Sequence, residues 1–284
     1  MIIDFHVHIF PPYFIENRHA FFSEEPGFRW LYDDPKADMV TVEDLLRVMD
    51  EDGIDKAVVF GFPWEKEDRF KRHNDYILES IHRHPDRLIG FCCFSPISPR
   101  ASIEAERCLV SGLSGIGEIG MYHLPFGPEH IAAMEQCMQL CQDRDVPFML
   151  HANEPVGHQY KGKSSMDLGS LYRFVKRYPS NKIVLAHWGG GLLFFALMKR
   201  EVREALANTW FDTAASPYLY RPDIYRVAGG IVGFERVLFG SDYPLIRPRR
   251  YLKEMREVRL SSEALATITW KNAANLVKLD TDRA

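Results

Sequence analysis

The chain begins with Met1-Ile2-Ile3-Asp4-Phe5-His6-Val7-His8, an apolar run that ends in two histidines. Such a run is typical of a strand buried in a sheet. Side chains alternate between the two faces of a strand, so His6 and His8 point to the same face. Two imidazoles at this spacing suit a metal site, although exposed or core histidines are commoner. The pair predicts a metal site only if other segments bring further ligands to the same place.

Length and composition narrow the class of protein. The 284 residues suffice for one undivided α/β barrel, and 46% of them are hydrophobic, which allows a large core. The net charge of −4 argues against nucleic acid or an anionic membrane as the main partner. The five cysteines form no disulfide-like pattern, and neither a leader sequence nor a membrane-spanning apolar run is found. We therefore expect a cytoplasmic protein.

Short apolar segments alternate with helix-like segments along the chain. Strict alternation predicts a parallel sheet, because neighbouring parallel strands need a crossover between them. The predicted strands are 1–8, 56–61, 87–94, 115–120, 146–151, 182–187, 209–213 and 236–242. The predicted helices are 41–52, 68–84, 101–110, 128–144, 167–178, 189–206, 223–229, 249–258 and 262–278. These units fit a closed (β/α)8 TIM barrel in one domain of residues 1–284, and an open doubly wound sheet is the alternative.

Residues 9–40 follow the first strand and are predicted to form a long irregular loop. The segment is rich in proline and in aromatic residues. Its aromatic content argues against disorder, and long loops in compact domains are usually functional. Two roles stay open: a lid or pocket wall, or a segment packed on the outer surface or against the partner subunit of a homo-oligomer.

Polar residues mark the ends of other predicted strands. His151 and His187 end the fifth and sixth strands, Asp242 ends the eighth, and Glu118 lies in the fourth. In a parallel barrel all strand ends meet on one face. Burying such groups is costly unless something pairs with them, and a divalent cation satisfies them together. Together with the first histidine pair, they are ligands that a Zn²⁺-like ion accepts.

Each of these residues also fits a structural role when it is considered alone. His151 fits a core histidine bonded to a carbonyl, and His187 fits a cap or packing residue. Glu118 fits an ion pair with a lysine inside the barrel, and Asp242 fits a turn residue. The shared metal site is favoured because six metal-compatible residues lie at or near the ends of five predicted strands.

The sequence resembles the amidohydrolase superfamily in motifs spread over nearly the whole chain. Residues 4–11 (DFHVHIFP), 186–191 (AHWGGG) and 239–244 (FGSDYP) look like its "amidohydrolase 2" branch, which includes aminocarboxymuconate-semialdehyde decarboxylase. Residues 270–276 (WKNAANL) are similar to the final helix of that branch. The resemblance is specific for fold and metal and says little about the substrate.

The resemblance implies a zinc ion held by the first histidine pair, His151 and Asp242, with His187 contacting substrate. Glu118 departs from many members that hold one ion, and it stands where binuclear relatives place a bridging carboxylate. A second ion, held by His151 and His187, therefore stays open. The full set of expected metal ligands is His6, His8, Glu118, His151, His187 and Asp242.

We expect hydrolysis of an amide, ester or lactone bond in a small substrate. Binding of a negatively charged substrate is compatible with this site. A metal-bound water is expected to attack the carbonyl, with Asp242 moving the proton and His187 orienting or polarising the carbonyl. The backbone amides of 189–191, at a predicted helix start, are candidate anion-binding groups. The expected pocket-lining residues are Asn153, Trp188, Tyr122, His123, His158 and Tyr243.

Two other functions stay open. One is a metal-dependent, non-oxidative decarboxylase of a small carboxylic acid, for which Arg18 and Arg29 are candidate partners of the substrate carboxylate. Glu118 favours hydrolysis over this alternative. The other is a catalytically silent barrel that binds a ligand or a partner.

Overall fold

The computed structural model describes residues 1–279. The strands in chain order are β1 (Ile3–His8), β2 (Lys56–Phe60), β3 (Leu88–Gly90), β4 (Ile116–Ile119), β5 (Phe148–Leu150), β6 (Ile183–Leu185), β7 (Thr209–Asp212) and β8 (Val237–Leu238). Every pair of neighbouring strands is parallel, in the orders β1-β2-β3 and β4-β5-β6-β7-β8.

Two single bridges close these strands into a barrel. Cys92 pairs with Ile116 beyond the end of β3, and Val7 pairs with Tyr243 beyond the end of β8. The predicted (β/α)8 barrel is therefore confirmed. The predicted single domain of residues 1–284 stays a prediction, and residues 280–284 lie outside the described part of the chain.

Helices connect the strands and pack around them. The α-helices are α1 (Pro12–Glu16), α2 (Pro26–Tyr32), α3 (Val42–Asp52), α4 (Glu67–Arg83), α5 (Ala101–Val110), α6 (Pro128–Ala133), α7 (Glu135–Arg144), α8 (Leu168–Arg177), α9 (Arg200–Ala205), α10 (Ser216–Leu219), α11 (Ile224–Val232), α12 (Pro248–Glu257), α13 (Ser262–Ala266) and α14 (Asn272–Leu276). Short 3₁₀ segments cover Arg18–Phe21, His187–Leu197 and Phe234–Arg236, and a π-turn covers Thr267–Lys271. Within residues 1–279, no helix has both the length and the apolar character needed to cross a membrane.

The core has two apolar layers that follow the alternation of strand side chains. In β2, Ala57 and Val59 belong to the larger cluster, which includes apolar side chains of the surrounding helices. Val58, which points to the opposite face, belongs to a smaller cluster that includes Met149 and Leu238. The barrel is therefore filled by side chains, and chemistry is confined to the face where the strands end.

Residues 9–40 are more regular than predicted, because they form α1, a 3₁₀ turn and α2. Prolines stand in the first turn of both α-helices, where a missing N–H costs nothing. Helices this short are not stable by propensity and need tertiary packing. That packing comes from Trp64, whose ring centroid lies 4.7 Å from that of Phe14 and 4.4 Å from that of Phe28.

The helix predicted over 189–206 is wrong in its first part. Trp188 and the following glycines have φ between 59° and 93°, which is the left-handed region. A Cβ on Gly190 would lie 2.3 Å from the backbone oxygen of Asn153, so only glycine fits there. The glycine run therefore serves a left-handed turn and a close backbone approach. The prediction that it opens a helix is wrong, and anion binding by its backbone amides stays a prediction.

Candidate metal centre and active site

The six predicted metal ligands lie together at the end of the barrel where the strands finish. Their positions are His6 and His8 on β1, Glu118 on β4, His151 after β5, His187 after β6 and Asp242 after β8. Most are deeply buried: the Asp242 side chain, 14% exposed, is the most accessible of those in the cluster, and that of His6 is 0% exposed. The site is thus a nearly closed polar cluster with Asp242 at its opening.

The histidine pair on β1 is oriented so that two lone pairs converge. The Nδ1 of His6 lies 2.8 Å from the Asp212 carboxylate, and the Nδ1 of His8 lies 3.2 Å from the carbonyl of Gly61. Both partners only accept hydrogen bonds, so each Nδ1 carries a proton. The two Nε2 atoms, 3.3 Å apart, then face each other as acceptors. Such a contact is unfavourable unless a cation or a proton lies between the rings.

Two carboxylates point at the same pair of nitrogens. Glu118 Oε2 lies 3.7 Å from the Nε2 atoms of both His6 and His8. Asp242 Oδ1 lies 3.5 Å from both. Imidazole nitrogens and carboxylate oxygens gathered in one buried volume are the donors that divalent ions such as Zn²⁺ and Mn²⁺ accept. The donor set therefore fits a divalent metal ion.

His187 extends the cluster on the side of Glu118. Its Nε2 lies 3.4 Å from Glu118 Oε1, and its Nδ1 donates to the carbonyl of Ala214 at 3.1 Å. In residues 1–279, ligand atoms within 4.8 Å of one another form overlapping triads. The triads are His6–His8–Glu118, His6–His187–Asp242 and Glu118–His151–His187.

His151 lies on the far side of Glu118 from the β1 pair. Its Nδ1 is 3.0 Å from Glu118 Oε1, and its Nε2 is 3.1 Å from the carbonyl of Gly162. Both ring nitrogens therefore face oxygens, and a neutral ring has a proton for only one of them. The ligand set of His6, His8, His151 and Asp242 stays a prediction, as does the second ion.

The electrostatics of the cluster attract positive charge. Burial alone would lower the pKa of His6, but Asp212, Glu118 and Asp242 outweigh it and raise that pKa to about 10. Burial opposes the charged form of Glu118, yet His151 and His6 hold its pKa well below the usual value. The negative charge of Asp212, Glu118 and Asp242 therefore favours a cation at the centre of the cluster.

The segment that carries Asp242 is tied to β1 through the opening motif of the sequence. The Asp4 carboxylate accepts hydrogen bonds from the backbone N and the hydroxyl of Ser241, at 2.8 and 2.5 Å. Asp242 itself donates its backbone N–H to the carbonyl of His6 at 2.9 Å and has a φ of 59°. Its left-handed backbone is strained for a residue other than glycine, and such strain clusters at functional sites.

The predicted pocket-lining residues fall into two groups. Trp188 is fully buried and donates its indole N–H to Ser216, while Asn153 bonds Ser164 and ties the loop after β5 together. In the other group, Tyr122 donates to Glu118 at 3.3 Å, and Tyr243 is buried and follows Asp242 in the chain. His123 pairs with Glu65 at 3.2 Å, and His158 is exposed. Substrate contact by any of them stays a prediction.

Two residues near the cluster were not predicted from the sequence. Asp212 ends β7 and bonds His6, and its position at a strand end was the available signal. Tyr32 ends α2, and burial together with the carboxylates of Asp242 and Glu118 raises its pKa. The aromatic richness of residues 9–40 pointed to such a wall residue without identifying it.

Neither candidate arginine reaches the cluster. Arg18 donates to the backbone carbonyls of Asp34 and Ala37, and Arg29 is exposed. Within residues 1–279, no arginine forms a hydrogen bond or ion pair with any of the six cluster residues.

With the geometry in place, comparison with known proteins decides the family. The family model described as amidohydrolase matches residues 3–279. The chain belongs to this amidohydrolase family. The match spans the barrel from β1 to beyond α14 and includes every residue of the metal cluster.

Three curated relatives of this chain are gamma-resorcylate decarboxylases. The chain is 23% identical over 288 residues to gamma-resorcylate decarboxylase of Polaromonas sp. strain JS666. This alignment covers 83% of the chain and 86% of the relative. One solved structure that resembles this chain is a dihydroxybenzoic acid decarboxylase from Polaromonas sp. JS666 with bound manganese and the inhibitor 2-nitroresorcinol. The two structures superpose with a TM-score of 0.71 at 21% sequence identity, and the alignment covers 100% of this chain and 98% of the decarboxylase chain. The 5-carboxyvanillate decarboxylase of Sphingomonas paucimobilis has a TM-score of 0.77 at 17% identity, with 98% of each chain covered.

These comparisons correct the expected function. The prediction of a hydrolase is wrong, because three curated relatives that match over most of the chain are decarboxylases. The weight given to Glu118 was misplaced, since a carboxylate among the ligands does not by itself indicate hydrolysis. The prediction of an enzyme of the amidohydrolase superfamily is confirmed. The structure has groups of residues that could hold a metal ion, and a solved neighbour binds manganese, so zinc as the ion is not supported.

Proposed function

We propose that this protein is a metal-dependent, non-oxidative decarboxylase of a small hydroxylated aromatic carboxylic acid. The observation that carries the proposal is the buried cluster of four imidazoles and two carboxylates, in a chain whose named relatives are decarboxylases of this substrate class. A small molecule is accordingly the expected partner.

The residues proposed to hold the ion are His6, His8, Glu118 and Asp242, with His187 and His151 beside them. When bound, a divalent ion supplies positive charge that holds anionic oxygens of the substrate. Manganese is the first ion to test, because it is bound in a related solved decarboxylase, and zinc is the second. Metal analysis of the purified protein decides between one ion and two.

The substrate side of the site is proposed to be aromatic. The ring of Tyr122 is stacked on that of Phe62 with centroids 5.7 Å apart. The ring centroid of Phe62 lies 6.1 Å from that of Tyr32. Tyr122 in turn meets His151 edge-on at 5.0 Å. This row of rings leads from α2 to the metal cluster and suits a flat aromatic acid. No arginine among residues 1–279 bonds a cluster residue, and Arg18 is engaged with backbone carbonyls, so we assign the substrate carboxylate to the ion.

The reaction needs one proton at the carbon that carries the carboxylate. The C–C bond to the carboxylate breaks, carbon dioxide leaves, and a C–H bond forms at the same ring carbon. We assign the proton delivery to Asp242, the most exposed carboxylate of the cluster. The Nδ1 of His187 lies 4.0 Å from Asp242 Oδ2 while it donates to the carbonyl of Ala214, so His187 is assigned an electrostatic role beside that carboxylate.

The direct test is a substrate panel with two product measurements. Metal-loaded protein is offered 2,6-dihydroxybenzoate and 5-carboxyvanillate, and in parallel an ester, a lactone and an amide. Carbon dioxide release from the aromatic acids, lost on chelation and restored by Mn²⁺, is the expected result. Turnover of the ester, lactone or amide without any carbon dioxide release contradicts the proposal.

Replacement of the proton donor gives the second test. Asp242→Asn is expected to lower kcat by about 10²–10⁴-fold, measured at saturating Mn²⁺ so that weaker ion binding is compensated. Asp223→Asn is the matched control, because Asp223 is half exposed on the surface and pairs only with Arg221 and Arg226. An Asp242→Asn enzyme with wild-type kcat removes the assigned proton step.

A further inference from the structure

Asp212 is a buried carboxylate that none of the metal triads includes. It ends β7 and is fully buried. Its Oδ2 lies 2.8 Å from His6 Nδ1. Its Oδ1 accepts hydrogen bonds from the backbone N–H groups of His187 at 2.9 Å and Ala214 at 3.0 Å. One carboxylate thus contacts two elements that carry cluster histidines.

The contact with His6 fixes which ring nitrogen carries the proton. A carboxylate oxygen accepts, so the proton of the neutral ring must be on Nδ1. The Nε2 atom is then free as a lone pair, and Nε2 is the atom that lies 3.3 Å from His8 Nε2 and 3.5 Å from Asp242. The negative charge beyond the ring also makes Nε2 a stronger donor to a cation.

The contact with His187 fixes a strained piece of backbone. His187 has a φ of 53°, and Trp188 continues the left-handed turn with a φ of 59°. A non-glycine residue holds this conformation only when its surroundings enforce it. The Asp212 carboxylate accepts a hydrogen bond from the backbone N–H of His187. The backbone carbonyl of Ala214, two residues after Asp212, accepts a hydrogen bond from Nδ1 of the His187 ring. The end of β7 therefore sets both the main chain and the ring of His187.

We propose that Asp212 is the positioning residue of this centre, which sets the tautomer of His6 and the placement of His187 at the same time. The proposal rests on the metal centre of the proposed function, but it does not depend on which reaction that centre performs. Metal binding, measured without turnover, can therefore test it separately.

The Asp212→Asn substitution is diagnostic because asparagine has nearly the same shape, with one acceptor replaced by a donor. If the oxygen of the new side chain faces the backbone N–H groups, its NH₂ group points at His6 Nδ1, and the ring proton has to move to Nε2. If the side-chain amide is flipped, the two backbone donors face the NH₂ group. Either arrangement loses one of the two functions that a carboxylate performs together.

The experiment titrates Mn²⁺ into chelator-stripped protein and measures its Kd. Asp212→Asn is expected to weaken Mn²⁺ binding by about 10–100-fold. Asp52→Asn is the matched control, because Asp52 is another fully buried carboxylate side chain whose partner is Arg247, away from the cluster. Asp52 also accepts a hydrogen bond from the backbone N–H of Arg249, and neither arginine bonds a cluster residue, so this control is expected to keep the wild-type Kd. Circular dichroism of the stripped proteins establishes that each variant is folded.

Three results bear on the proposal. A folded Asp212→Asn protein with the wild-type Kd overturns it while leaving the metal centre intact. Wild-type protein that binds no Mn²⁺ overturns the metal centre and this proposal together. If Asp212→Asn does not fold, ¹⁵N spectra of the histidine rings in wild-type protein loaded with diamagnetic Zn²⁺ decide: a proton on Nδ1 of His6 is expected, and a proton on Nε2 overturns the proposal.

Discussion

A core histidine, His73, and the histidine pair on β1, His6 and His8, lie close together in this protein, but their hydrogen bonds differ. His73, on α4, is fully buried, donates from Nε2 to the carbonyl of Ile9 at 2.7 Å and accepts at Nδ1 from the indole of Trp64 at 2.9 Å. Each of its nitrogens has a complementary partner in the neutral ring. His6 and His8 instead point their Nε2 atoms at each other at 3.3 Å, a contact that needs a proton or a cation between the rings.

The difference teaches that burial does not distinguish a metal ligand from a core histidine, whereas hydrogen-bond complementarity does. Burial lowers the pKa of His73 to about 3, because its partners are satisfied by the neutral ring. Carboxylates overcome the same burial at His6 and raise its pKa to about 10. The first environment excludes charge, and the second demands it.

Removal of a ligand should break this contrast with the largest effect. His8→Ala removes an imidazole donor from the centre and is expected to weaken Mn²⁺ binding by more than the roughly 10–100-fold typical of an outer partner. Elemental analysis and Mn²⁺ titration measure the loss. His82→Ala, at an exposed position of α4, is the matched control and should bind like wild type. Full Mn²⁺ occupancy in His8→Ala would remove His8 from the ligand set.

The pH dependence of stability should reveal His73 next. In the unfolded chain a histidine binds a proton near pH 6.5, but folded His73 does so only near pH 3. The unfolded state therefore binds more protons between these values, and stability falls as the pH falls. The contribution is complete above pH 6.5 and declines by up to about 1.4 kcal/mol for each pH unit below it.

Urea unfolding of metal-free protein from pH 7 to pH 4 measures this slope. His73→Gln is expected to be less stable at pH 7. Its free energy of unfolding should also depend less steeply on pH than that of wild type, by the slope that corresponds to one bound proton. Equal slopes in the two proteins contradict the assignment. If the variant does not fold, NMR titration of wild-type His73 is decisive, since its ring should remain neutral down to about pH 4.

The convergence of the cluster could be predicted because it depends on topology alone. Parallel strands end on one face, so the ends of β1, β6 and β8 had to bring His6, His187 and Asp242 together once the barrel was assumed. Side-chain alternation in β1 likewise required its two histidines to share a face.

Features that depend on contacts between distant segments could not be predicted. The triple glycine after β6 was assigned to a helix start, but the backbone of Asn153 decides its left-handed turn. The helices in residues 9–40 depend on Trp64, which lies in another loop. The strand-end position of Asp212 was visible in the sequence, but its two partners were not.

The smallest effect should come from a hydroxyl at the edge of the cluster. Tyr122 donates to Glu118 Oε2 at 3.3 Å, while its ring packs between Phe62 and His151. Tyr122→Phe keeps the ring and removes a hydrogen bond worth about 0.5–1.5 kcal/mol, so a modest change in Mn²⁺ affinity is expected. Tyr122→Leu removes the ring as well and is expected to raise KM for an aromatic acid more strongly. KM values that rise equally in the two variants would assign substrate binding to the hydroxyl and not to the aromatic face. The row of rings from α2 would then be packing for the cluster, as the rings around His73 are.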